Sequence, residues 1–101
     1  MSSCPTAIGN AKVVCYTFID ERHKHTGNTT QIVNGVVLGS AAGLAICQCF
    51  NDSSFYLFAC DDNWNVCSDT WHETLDAAIA QAEFEYAGSQ QTWQYLDNQL
   101  H

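Results

Sequence analysis

Positive charge is nearly missing from this chain. Lys12, Arg22 and Lys24 are its only lysine and arginine residues, against 11 aspartates and glutamates, for a net charge of -8. From His25 to the end there is no lysine or arginine. Such a surface repels phosphate backbones, so nucleic-acid binding is not expected. It attracts basic proteins and speeds their encounter. Long apolar runs are missing too. The longest candidate, Val36 to Phe50, is broken by Gly39, Ser40, Gly43 and Gln48, and falls short of the roughly 20 residues that span a bilayer. The first residues, Met1 to Ala7, lack the charged and apolar regions of a secretory signal. The expectation is a cytoplasmic chain with no membrane contact. Proline occurs once, and no linker divides the 101 residues, which is the size of a single domain.

Catalytic signatures are also absent. The chain has no C-x-x-C, no H-E-x-x-H, no G-x-S-x-G and no glycine-rich phosphate loop. No cofactor and no catalytic residue is expected, and the balance falls against an enzyme.

What is present is core material. Apolar residues make up 47% of the chain, with three tryptophans, four tyrosines and five phenylalanines, which argues against disorder. Six cysteines (Cys4, Cys15, Cys47, Cys49, Cys60 and Cys67) form an even set. In a reducing compartment they are expected as free thiols packed like small hydrophobes.

Periodicity predicts an α+β fold: an antiparallel sheet of about five strands with one C-terminal helix on one face. Residues 1–11 read as an irregular lead-in, 12–71 as the sheet, 74–88 as the helix and 89–101 as a terminal segment. Strands are expected over 12–20, 29–33, 44–50, 55–60 and 64–71, where β-branched and aromatic residues collect between turn signals. Asn34-Gly35 is either a hairpin turn before Val36-Val37-Leu38 or a bulge within a longer strand. Thr74 is placed as the helix N-cap, and Leu75, Ala78, Ile79, Ala82 and Tyr86 form one stripe. Gly88 is placed as the terminator. Phe84 falls about half a turn from Leu75 and faces away from that stripe. Strands carrying Tyr16, Phe18, Tyr56 and Phe58 are apolar on both faces, and one helix covers only one. The other face must curl, be capped by the termini or pack on a second copy, and a homodimer is the simplest of these.

Several clusters could carry chemistry. His23 and His25 share one side of an extended segment and could share a ligand with Arg22 and His72. Cys67, Asp69 and His72 would complete a metal set only if folding gathered them. Spacing gives no support, and no metal is expected. Asp61-Asp62-Asn63-Trp64-Asn65 opens like a calcium loop, but Val66 stands where glycine is needed and His72 where glutamate is needed. Glu83 and Glu85 do not share a helix face, so they are no acid–base dyad.

The stretch Asp69 to Leu75 with Gln81-Ala82-Glu83-Phe84-Glu85-Tyr86 and Gly88, together with Arg22-His23, His25-Thr26-Gly27 and Ala42 to Cys47, resembles a group of small bacterial single-domain proteins to which no function is attached. The resemblance covers about residues 12–93. It implies a stand-alone domain and supplies no activity or catalytic residue. From charge, the expected function is a non-enzymatic protein-binding domain, of the inhibitor, immunity or counter-defence type, acting on a basic protein partner through Asp61, Asp62, Glu83 and Glu85. The alternative is a small-ligand or metal-binding module around Arg22, His23, His25 and His72.

Overall fold

A computed structural model describes residues 3–27, 32–33, 36–37, 40–50 and 53–96. Its elements in chain order are β1 (Ala7–Ile8), β2 (Ala11–Phe18), β3 (Lys24–His25), β4 (Ile32–Val33), β5 (Val36–Val37), β6 (Gly43–Cys49), β7 (Phe55–Cys60), β8 (Val66–His72), α1 (Leu75–Glu85), β9 (Tyr86–Ala87), a 3-10 turn (Ser89–Gln91) and β10 (Gln94–Tyr95). The main sheet is antiparallel, in the order β1-β2-β6-β7-β8, with β10 added on β2. The α+β expectation holds. No helix among the described residues is long and apolar enough to cross a membrane.

One inserted residue decides which side chains share a face. In β2, Val13 pairs with Cys47 and Cys15 pairs with Ile46, so Val14 is the extra residue of a bulge. Side chains alternate with period two, and an extra residue inverts the alternation beyond it. Ala11 and Val13 lie on one face; after the bulge that face continues through Tyr16 and Phe18, while Val14 and Cys15 both turn to the helix side. A second bulge at Cys67 separates the pairs Ala59–Ser68 and Cys60–Val66. Bulges strengthen local twist, and the sheet curls into a half-barrel.

The two faces build two cores. On the helix side, Leu44, Ile46, Leu57 and Ala59 pack against Ala78, Ala82 and Tyr86, with Leu75 and Ile79 at the margin. Leu44 and Ile46 are fully buried, each stabilising the fold by about 1.5–3 kcal/mol. On the other side, Val13, Ala45, Cys47 and Cys60 pack under Trp64, with Cys4, Ile8 and Leu96 closing the margin. The chain thus covers part of its own second face, which weakens the packing reason for a homodimer.

The helix is capped at both ends by threonines. The Thr74 side chain accepts from the Ala77 N–H at 3.0 Å. At the other end, Thr26 donates its hydroxyl to the Phe84 carbonyl at 2.6 Å and its N–H to that of Glu85 at 3.0 Å. These are helix-end carbonyls that have no partner within the helix. The helix stops at Glu85, earlier than expected, because Tyr86–Ala87 leave it to pair with Lys24–His25. Tyr86 is buried and its Oη accepts from the Ala41 N–H at 2.7 Å. Gly88 is left-handed, with φ 96°, but it starts the 3-10 turn instead of ending the helix.

Other boundaries differ from the sequence reading. Residues 7–8 of the lead-in pair with β2. The fifth strand starts at Val66, not Trp64. Asn34-Gly35 and residues 29–31 lie outside the described residues; the flanks Ile32–Val33 and Val36–Val37 pair antiparallel, as a hairpin would.

Candidate functional site

The expected ligand residues are individually engaged and do not converge. Asp20 accepts a forked pair of hydrogen bonds from Arg22, with Nη2 to Oδ2 at 2.9 Å and Nε to Oδ1 at 3.0 Å. That fork, and the Arg22 N–H, hold the Asp20 carboxyl down at about 2. The His23 side chain is fully buried. Its Nδ1 accepts from the Asp20 N–H at 3.1 Å, so Nε2 carries the proton and donates to Thr92 Oγ1 at 2.7 Å. Thr92 also pairs with the buried Thr17 hydroxyl at 2.7 Å and donates to the Ser89 carbonyl at 3.2 Å. This is a structural network tying β2 to the C-terminal turn. His25 is exposed and stacks on Tyr86, with ring centroids 5.0 Å apart. His72 lies on β8 and pairs with Thr70 Oγ1 at 2.7 Å; burial lowers its pKa, with Glu85 pulling the other way. Among the described residues no three metal-ligating side chains gather.

Three of the four carboxylates expected to meet a partner have internal work. Asp61 accepts from the N–H groups of Asn63 at 2.8 Å and Asn65 at 2.9 Å, which lowers its pKa and shapes the loop before β8. Glu83 accepts from the N–H groups of Gly88 at 2.9 Å and Gln90 at 3.0 Å, capping the 3-10 turn. Glu85 is 6% exposed and takes the Gln81 amide at 2.8 Å, which removes it from any surface. Asp62 alone is exposed and without a partner among the described residues.

Four of the thiols are poor nucleophiles. All six cysteines are free. Burial pushes Cys4 up to about 11 and Cys15 and Cys60 up to about 12. Cys47, fully buried, is raised as well. The thiolate is the reactive form, so these side chains serve packing.

The open feature is a groove on the second sheet face. Its floor is Tyr56 and Phe58, whose rings stack with centroids 5.7 Å apart and planes 9° from parallel. Its rim includes Ile8, Phe50, Val66 and Asp69, and it holds about 630 Å³, within the range of ligand pockets. Phe50, Val66 and Trp71 are 63%, 42% and 53% exposed. The β7–β8 register sets Tyr56 opposite Trp71 and Phe58 opposite Asp69. Asp69, Glu73 and Asp76 follow one another along β8 and into α1, exposed and without partners among the described residues. The sequence reading named Tyr56 and Phe58 on an apolar face that the helix does not cover, but it did not place Asp69 and Trp71 beside them. The site's signal was Val66, Asp69 and Trp71, exposed apolar and acidic residues on one strand. The chain matches no family model, no curated protein and no solved structure.

Proposed function

We propose that this chain is a non-enzymatic binding domain for a basic protein, and that it engages its partner through the β8 side of the second sheet face. The observation that carries this reading is the pair of exposed, unpaired carboxylates Asp69 and Glu73, of which Asp69 lines the groove with Val66 and Glu73 lines a recess with Trp71. Among the described residues the ion pair is that of Arg22 with Asp20, so these two carboxylates are unanswered within the fold. Apolar anchors ringed by charge of one sign are the make-up of a recognition surface for the opposite sign. A homodimer would bury the same face, but a two-fold contact there would set an acidic face against an identical acidic face. An inhibitor or immunity role follows naturally, since occluding a basic cleft requires no chemistry.

The test uses two baits: the chain itself, and a variant carrying Asp69→Asn and Glu73→Gln. Bound proteins are identified by mass spectrometry and the best candidate is purified. Association with the unmodified chain should slow several-fold between about 0.05 and 0.2 M salt, because exposed charges are screened beyond about 10 Å at 0.1 M. Equal capture by both baits, or a salt-indifferent rate, sinks the reading.

A further inference from the structure

Tyr56, Phe58 and Asp69 line the groove, and Trp71 lines the recess beside it with Ser53, Ser54 and Glu73. Residues two apart on a strand share a face, and residues directly opposite in an antiparallel pair hold their Cβ atoms about 4.5–5.5 Å apart. Tyr56 and Phe58 on β7, with Trp71 and Asp69 opposite them on β8, therefore form a square on one sheet face. Three corners are aromatic and the fourth is an exposed carboxylate without a partner among the described residues. No lysine or arginine lines the groove.

We infer that this square is the seat of an arginine side chain presented by the basic partner, an inference that rests on the binding role proposed above. The chemistry selects among occupants. An apolar side chain would cover Tyr56 and Phe58 but would desolvate Asp69 without pairing it, which is costly. A lysine would pair with Asp69, but its compact ammonium is strongly hydrated. A guanidinium is planar and more weakly hydrated. It lies against aromatic rings and aims a fork of N–H donors at a carboxylate. A second copy of this chain cannot supply the group readily. Its one arginine is Arg22, already held by Asp20 through the fork at 2.9 and 3.0 Å.

The probes are an acetylated, amidated hexa-arginine peptide and its hexalysine counterpart, titrated calorimetrically into the chain. Hexa-arginine should bind more tightly than hexalysine. Asp69→Asn should weaken hexa-arginine binding about tenfold, since it removes the charge-assisted fork. Glu21→Gln, which removes an exposed carboxylate outside the groove, should change it less than about twofold, as screening allows. Trp71→Leu should weaken it as Asp69→Asn does. If that variant fails to fold, amide shift mapping on the unmodified chain decides, with the largest changes expected at residues 56, 58, 69 and 71. Equal affinity for the two peptides, equal losses from Asp69→Asn and Glu21→Gln, or shifts centred elsewhere overturn the arginine seat and leave the acidic binding role standing. Failure of both peptides to bind overturns both.

Discussion

The Trp64 indole meets the Tyr16 ring edge-on, with centroids 6.0 Å apart and planes at 87°. Reaching that position has a backbone cost. Trp64 has φ 63°, and no other described non-glycine residue has positive φ. For a bulky side chain the left-handed region costs on the order of 1–3 kcal/mol. Burial of the indole to 5% exposure, and a second contact with Phe18 at 5.8 Å, offset it. Trp64→Ala should therefore destabilise by about 3–5 kcal/mol in urea denaturation. Trp64→Gly loses the same contacts but is at ease at that φ, so it should be the less damaged of the two. The reverse order would show that the loop does not hold Trp64 left-handed.

The buried network around Thr92 makes a sharper case, because removing one hydroxyl breaks two buried hydrogen bonds. Thr92→Val keeps the shape of the side chain but leaves His23 Nε2–H without its acceptor and removes the pair with the Thr17 hydroxyl. A buried donor left unpaired costs about 1–3 kcal/mol. Thr92→Ser keeps the hydroxyl and should lose less. Equal melting temperatures for the Val and Ser variants would mean that the network contributes nothing.

How much of this was legible depends on whether the determinant was local. The stripe Leu75, Ala78, Ile79 and Ala82 and the Thr74 cap are local, and both stand in the structure. Cys47 facing away from Ile46 follows from strand alternation and also stands. The Val14 bulge is not local, since it is defined only by the partner residues Cys47 and Ile46. Trp64 was assigned to a strand because aromatic residues favour strands. The Asp61 carboxylate, accepting from the N–H groups of Asn63 and Asn65, holds it in a loop instead. Glu85 looked like surface charge, and only the packed helix shows that it is buried. The groove needs the pairing of Tyr56 with Trp71 and of Phe58 with Asp69, a register that no single segment encodes.

Gly88 and Gly9 provide a matched comparison. Both have positive φ, 96° and 58°, where a left-handed L-residue costs about 1–2 kcal/mol. A Cβ at Gly9 meets nothing within 4 Å, whereas one at Gly88 would lie 2.7 Å from the Arg22 carbonyl oxygen. That oxygen is backbone and cannot swing aside. Gly9→Ala should cost about 1–2 kcal/mol, and Gly88→Ala clearly more in the same denaturation series. Equal losses would mean that the Gly88 backbone does not approach the Arg22 carbonyl so closely.

Acid should act on stability in two separate windows. Asp20, held at about 2, has a folded-state pKa below its ordinary 3.8, and Asp61 is also lowered. For such carboxyls the unfolded chain takes up protons first as pH falls. Their contribution is complete above the ordinary value and is lost as pH drops from about 4 toward 2. His72 acts earlier. Burial lowers it below the ordinary 6.5, with Glu85 partly restoring it. Between 6.5 and its folded value, the unfolded chain holds the proton that the folded chain refuses, so stability falls as pH falls through that range. Urea midpoints should decline from pH 7.5 to 5, then fall again below about 4. His72→Gln should remove the first decline and leave the second. Glu85→Gln removes the charge that favours protonated His72, so the first decline should deepen. The His72 ring-proton titration by NMR reads the same quantity directly. A midpoint at or above 6.5 would place His72 in water and refute the first window.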